Sequence, residues 1–226
     1  VAEWRILRRW SEPELRERLD ALAALGPNFA ETADDPQPTG DWTRYRSRSI
    51  LGQEPPGPPQ PDGIFERARA AVVDYEFSDP DIVRGHFEPD APLLGRRMLL
   101  ELRAVRVLRY LAGVVVGDVR DERDEDGSTF GFRYETLEGH IEAGVEWFLV
   151  DKDHETGIVT FRIEASWRPA QFPNWWSRLG FALVGPRYQR RWHRHAHGRL
   201  YAIATGRAHP RRRPTLGAPE VVFERT

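Results

Sequence analysis

Residues 129–169, TFGFRYETLEGHIEAGVEWFLVDKDHETGIVTFRIEASWRP, constrain the fold of this chain more than any other stretch. They read as three strands in succession, 128–136, 144–151 and 158–167. In the last, Val159, Phe161, Ile163, Ala165 and Trp167 alternate with Thr160, Arg162, Glu164 and Ser166, the period of two expected of a strand with one buried face. Residues 153–157 supply a hairpin turn, and spacers this short join neighbours antiparallel. Consecutive strands that each carry one apolar face must bury it against another layer.

The same period runs through residues 95–104, where Met98, Leu100, Leu102 and Ala104 alternate with Arg97, Glu101 and Arg103. Residues 113–122 read as a further strand, closed by the turn Asp124-Glu125-Asp126-Gly127. The covering layer is helical. Ser11-Glu12-Pro13-Glu14 is a capping box, and Leu15, Leu19, Leu22 and Leu25 share one face of the helix it starts, which Gly26-Pro27 stops. Residues 34–40 are a polar loop, and 53–63, QEPPGPPQPDG, hold too much proline for regular structure. Phe65, Ala68, Val72 and Tyr75 mark a second helix, and residues 173–183 read as a short tryptophan-rich one. Pro186 sits at a helix start. Beyond it Tyr188, Trp192, Ala196 and Leu200 fall four apart, which predicts one long helix to about residue 204.

These elements predict an α+β fold: a curved antiparallel sheet of five or six strands wrapped around a long C-terminal helix, with an added N-terminal helix. The domain is expected over residues 11–205, after an extension at 1–10 and before an Arg/Pro-rich tail at 206–226, in which 221–223 can dock as a small strand.

Composition narrows the function classes. With 226 residues, 40% of them hydrophobic, the chain can build one sizeable core. A formal net charge of -2 gives no global field for nucleic acid. Cysteine is absent, which excludes disulfides, thiol nucleophiles and thiolate metal sites and fits a reducing cytoplasm. Apolar runs such as 111–116 are too short to span a bilayer, and VAEWRILRRW lacks the apolar segment of a signal peptide. Lys152 is the only lysine, which reads as a compositional bias toward arginine.

The stretch GFRYETLEGHIEAGVEWF is similar to G-F-x-Y-G-T-L-x-G-H-x-x-x-G-E-E-x-F, the pattern of the family called domain of unknown function nineteen-ninety, or uncharacterised protein family 0548. Trp167-Arg168-Pro169, the basic residues 187–194, Gly52 and Phe65-x-x-Ala68 also fit, so the resemblance spans roughly residues 11–205. It implies a helix-grip, Bet v 1-like fold enclosing an apolar cavity, and no particular activity. Two positions depart from the pattern: Glu135 replaces its glycine and Val145 the first of its paired glutamates.

Tyr134, His140 and Glu146 form the leading constellation, because Glu146 shares strand parity with the apolar Phe148 and Val150. A buried carboxylate needs a partner or takes a proton, and Tyr134, His140 or Arg168 could serve. Three readings stay open: a structural hydrogen-bond network, an anchor for the polar end of a ligand, and an acid–base pair of His140 with Glu146. Trp167, Phe172, Trp175 and Trp176 read as packing, a lid or a membrane-surface anchor. Tyr134, His140, Glu146, Trp167, Arg168, Tyr188 and Trp192 are thus the expected ligand-binding residues, with no catalytic residue, metal ligand or cofactor assigned. His193, His195 and His197 read as surface histidines on an arginine-rich helix, although His193 and His197 have metal-chelating spacing. Arg187, Arg190, Arg191, Arg194 and Arg199 read as a solvated face rather than a nucleic-acid interface. The favoured partner is a small apolar or amphipathic ligand, in a cytoplasmic protein.

Overall fold

The computed structural model describes residues 2–29, 42–104, 107–170, 175–207 and 219–224, with no side-chain detail for 104 and 175–186. Its centre is an antiparallel sheet of β3 (Val83–His86), β4 (Arg97–Ala104), β5 (Leu108–Arg123), β6 (Gly127–Thr136), β7 (Glu142–Asp153), β8 (Ile158–Pro169), β2 (Thr43–Gln53) and β9 (Val222–Glu224), in that spatial order. A ninth strand, β1 (Ala2–Ile6), pairs with β5. β5 pairs with β4 over residues 108–115 and with β6 over 114–123, and a register shift interrupts the β6 ladder between Val116 and Asp118. A second shift lies between Ile50 and Gly52 on β2. Bulges of this kind bend strands and strengthen twist, so the sheet acquires a concave face.

Two helices fill that face, α2 (Ile64–Val73) and α3 (Trp175–Ala204). Phe65 and Val72 of α2, Phe77 after it, and Trp192 and Leu200 of α3 pack into one core with Phe148 of β7 and Phe161 of β8. The Phe77 ring lies 4.7 Å from Phe148 and 5.6 Å from Phe161. Removing one such buried ring costs about 3–5 kcal/mol. The expected α+β architecture, a curved sheet gripping the C-terminal helix, is the one observed. A smaller core of Trp10, Leu22, Leu99, Leu111 and Leu137 lies on the opposite face, against α1 (Glu12–Ala21) and the 3-10 turn Leu22–Ala24. The α1 capping box is made on both sides: Glu14 Oε2 accepts from Ser11 N at 2.7 Å, and Ser11 Oγ accepts from Glu14 N at 3.5 Å.

The structure corrects the sequence reading at several points. Residues 2–6, expected in an extension, are a sheet strand. β2 and β3 were not foreseen. The inward positions of β2 are Tyr45, Ser47, Ser49 and Leu51, so hydrophobic alternation is masked by two serines. α3 begins at Trp175, which puts Pro186 inside it. Proline forfeits one helical hydrogen bond there, yet the helix continues on both sides. The Arg211-Arg212-Arg213 stretch and Phe172 lie outside the described residues.

Candidate functional site

Tyr134 on β6 and Glu146 on β7 are direct cross-strand partners, so both side chains stand on the concave face. The Tyr134 hydroxyl donates to Glu146 Oε2. The other carboxylate oxygen, Oε1, lies 3.1 Å from His193 Nε2 of α3. Glu146 is 6% exposed and His193 fully buried. The histidine beside Glu146 is therefore His193, and the expected His140–Glu146 pair does not form among the described hydrogen bonds.

His140 is held by the turn between β6 and β7. Gly139 adopts φ +85°, a conformation that favours glycine, and His140 N donates to Leu137 O at 3.0 Å. His140 Nδ1 accepts from Glu142 N at 3.0 Å, which leaves the ring proton on Nε2. Burial lowers its pKa to about 4. Thr136 Oγ1 clasps the turn, accepting from Gly144 N at 2.9 Å and donating to Asn28 Oδ1 at 2.7 Å. A Cβ at Gly144 would stand 2.7 Å from Trp167 Cα on β8, so this position requires glycine.

Between this turn, β4 and α3 lies a hollow of about 110 Å³. Tyr134, His140, Glu146, Trp167, Tyr188 and Trp192 line it, together with Tyr75, Val83, Leu100, Leu102, Glu142 and Gln189. Arg168 takes the opposite strand parity, and its guanidinium lies over the Trp42 ring at 5.1 Å, so it is not part of the wall. Tyr188 and Trp192 also have structural duties: the Tyr188 hydroxyl donates to Ile82 O at 2.6 Å, and Trp192 Nε1 donates to Ser78 Oγ at 3.0 Å.

Four titratable contributors escaped the sequence reading. Glu142 lines the hollow, and burial, then the neighbouring Glu146 carboxylate, push its pKa up to about 8. Tyr75 is the second. Its residue is 5% exposed, and its hydroxyl has no hydrogen-bond partner among the described residues. Ser78 Oγ lies beside it: it donates to Val83 O and accepts from Trp192 Nε1, and its second lone pair stays on the Tyr75 side as a weak acceptor. Burial, then Glu146, raise the Tyr75 phenol well above its ordinary range. Its backbone is unusual as well, with φ +56°. Tyr75 N donates to Val72 O and Glu76 N to Ala71 O, a Schellman closure of α2 with tyrosine at the position normally given to glycine. A bulky side chain held in that region costs about 1–3 kcal/mol.

The third and fourth are His193 and His197, which the sequence reading placed on the surface and which are fully buried. They occupy the helix flank next to Trp192 and Ala196 and meet the inward serines of β2. Ser47 Oγ lies 2.7 Å from His193 Nδ1 and 2.8 Å from His197 Nε2, and Ser49 Oγ lies 2.7 Å from His197 Nδ1. All four ring nitrogens are thereby engaged, which leaves none for a metal. His195 points elsewhere, to Asp79 Oδ2 at 2.9 Å. Arg187, Arg190, Arg191 and Arg194 face solvent, as expected of a solvated face, whereas Arg199 is half-buried and donates from Nε to Glu76 O.

The family model described as Domain of unknown function (DUF1990) matches residues 27–199. A UPF0548 protein of Deinococcus radiodurans is 33% identical over 202 residues, covering 80% of this chain and 88% of that protein. The chain belongs to this family. Among solved structures, Ara h 8.0201 overlays with a TM-score of 0.40 at 12% identity, over 74% of this chain and 99% of its own. Human STARD10 overlays with a TM-score of 0.42 at 7% identity, over 89% and 82%. The two departures from the DUF1990 pattern, Glu135 and Val145, are cross-strand partners on the outer face. There Glu135 pairs with Arg133 at 2.8 Å, so both changes lie on the far side of the sheet from the hollow. Among the described residues no helix is long and apolar enough to cross a membrane.

Proposed function

We propose that this protein binds a small amphipathic molecule in the hollow between sheet and C-terminal helix, in a reducing compartment such as the cytoplasm. One observation carries the reading: Tyr75, Glu142 and Glu146 line the same small hollow, and the buried Tyr75 hydroxyl makes no well-formed hydrogen bond among the described residues. An unsatisfied buried hydroxyl costs about 1–3 kcal/mol, a cost that a ligand acceptor removes. Leu100, Leu102 and Trp192 offer an apolar wall to the rest of the ligand. The hollow's 110 Å³ is below the roughly 300–1,000 Å³ of drug-sized pockets, so the ligand has few heavy atoms. It carries at least one acceptor for Tyr75 and one donor for Glu146.

The test is native mass spectrometry of freshly purified protein, followed by thermal-shift screening with small amides, amines and hydroxy compounds. A hit should raise the melting temperature of the wild type and lose most of that effect in Glu146→Gln and Tyr75→Phe. If nothing copurifies and no compound shifts the wild type, the hollow is only a packing defect and the reading fails.

A further inference from the structure

Glu146 ends a line of hydrogen bonds that crosses the buried interior of the grip. The line runs from Glu146 Oε1 to His193 at 3.1 Å, from His193 to Ser47 at 2.7 Å, from Ser47 to His197 at 2.8 Å and from His197 to Ser49 at 2.7 Å. Ser47 is 1% exposed, Ser49 4%, and both histidines 0%. Every intermediate member is a hydroxyl or an imidazole, and each can donate on one side while accepting on the other. At the far end, Ser49 also belongs to the wall of a groove of about 910 Å³ between β2 and the C-terminal end of α3, which includes Thr160, Tyr201 and Thr205.

We propose that Glu146–His193–Ser47–His197–Ser49 is a proton relay, through which Glu146 trades a proton with the far side of α3. Because each group is used at both ends, the line has two self-consistent settings. In the first, Ser49 donates to His197 Nδ1, His197 Nε2 to Ser47, Ser47 to His193 Nδ1 and His193 Nε2 to the Glu146 carboxylate. In the second, every donor is reversed and Glu146 carries the proton. A concerted shift from the second to the first moves one proton from Glu146 to His193 Nε2. His193 Nδ1 passes its proton to Ser47, Ser47 to His197 Nε2, and His197 Nδ1 to Ser49, whose own proton passes to solvent water in the groove. One proton enters, one leaves, and no group ends with a net charge it did not start with except the Glu146 carboxylate.

The titratable groups around Glu146 are Tyr134 of β6, His140 of the turn after it, Glu142 of its own strand, Tyr75 beyond α2, and Tyr188 and His193 of α3. The rings of Tyr45 and Phe161 pack edge-on against His193 and His197, at 5.0 and 4.9 Å. Burial lowers the His197 pKa to about 3, so its ring is neutral, as a relay member must be. Taken with the proposed binding site, on which this part rests, the relay selects a ligand that gives a proton to Glu146 and keeps the bonding pair: a small hydroxy or carbonyl compound whose oxygen faces Glu142 and Tyr75.

The relay is tested without any ligand, by nitrogen-15 NMR of histidine-labelled protein. Exchange between the two settings gives Nδ1 and Nε2 of both rings shifts intermediate between the protonated and unprotonated limits. Ser47→Ala should collapse them to the limiting values of fixed tautomers, Ser49→Ala should do so for His197, and Ser47→Thr should restore the intermediate shifts. Wild-type rings already locked in single tautomers, or a Ser47→Thr protein that stays locked, would overturn the relay. Neither outcome bears on whether the hollow binds a ligand, which the thermal-shift screen decides.

Discussion

The only lysine of the chain offers a quantitative test of how the fold is held together. Lys152, on β7, is fully buried, with Nζ 2.8 Å from Glu54 Oε2 and 2.9 Å from Pro58 O. Glu54 also accepts from Phe65 N at 2.8 Å and from Gln60 N at 3.2 Å. The pair therefore ties the sheet to the proline-rich segment and to the first turn of α2. Burial pushes the Glu54 carboxyl up, but the Lys152 ammonium and the two amides outweigh it and hold its pKa below the ordinary value. A compositional bias toward arginine explains the rest of the surface and does not explain this residue. A compact point charge on a linear stem fits an enclosed site where a planar guanidinium does not.

Lys152→Met removes the cation and leaves a buried carboxylate with only two amides. Breaking a buried pair from one side costs about 3–5 kcal/mol. For a domain of this size about 1 kcal/mol moves the melting temperature by 2–4 °C, so the expected drop is roughly 6–20 °C. Glu54→Gln added to it should recover most of the loss, since the amide oxygen still accepts from Phe65 N while the unpaired charge is gone. Calorimetry and urea titration of the two proteins against wild type supply the cycle. Because the folded carboxyl titrates below its unfolded value, the pair's stabilisation is present above pH 4.5 and is lost as pH falls further. Lys152→Met should flatten that acid limb. A single-variant cost below about 1 kcal/mol, or a double variant no better than the single, would refute the argument that an uncompensated charge dominates.

Two further predictions concern pH. Glu142 keeps its proton in the folded state up to about pH 8, whereas the unfolded carboxyl loses it near 4.5, so its contribution to stability is full below 4.5 and is lost as pH rises to about 8. Melting temperatures of Glu142→Gln across that window should fall less with rising pH than those of wild type. His197 behaves oppositely: with a folded pKa of about 3 against 6.5 unfolded, it contributes stability above 6.5 that is lost as pH falls toward 3. His197→Gln should blunt the acid loss measured by circular dichroism. It should also cost about 1–3 kcal/mol at neutral pH, because a serine partner is left unpaired.

The parts of the fold that were legible in the sequence are those where inward positions are apolar. β4 through β8 announce themselves through residues such as Met98, Leu100, Phe161 and Ile163, which belong to one core. β2 gives no such signal, because its inward face spends two positions on Ser47 and Ser49. The same serines complete the histidine line, so one omission hid both a long strand near the sheet edge and half of the buried network. His193 and His197 follow Trp192 and Ala196 directly, and a core stripe wider than a strict four-residue repeat would have included them. Arginines on either side drew them to the surface in the sequence reading. Tyr134 and Glu146 were legible because strand parity fixes their face. The pairing of His140 with Glu146 was not, because a turn residue has no parity and its direction follows from the Gly139 and Thr136 geometry.

Places where a chain breaks local rules without a visible structural return are candidates for function. Most of this protein obeys them: α1 carries its capping box, Gly139 takes the positive φ, and Gly144 occupies a close strand approach. Tyr75 does not. Glycine would close α2 without strain, and phenylalanine would fill the core without an orphaned hydroxyl, so packing and capping each argue against tyrosine. Two more exceptions lie within the same hollow or at its wall: a carboxyl kept protonated to about pH 8 at Glu142, and a carboxylate at Glu146 backed by two fully buried histidines. Any one of these is tolerable in a domain stabilised by 5–15 kcal/mol. Their convergence on one 110 Å³ space is what a site for a small polar-ended molecule requires and what a core built for packing alone would avoid.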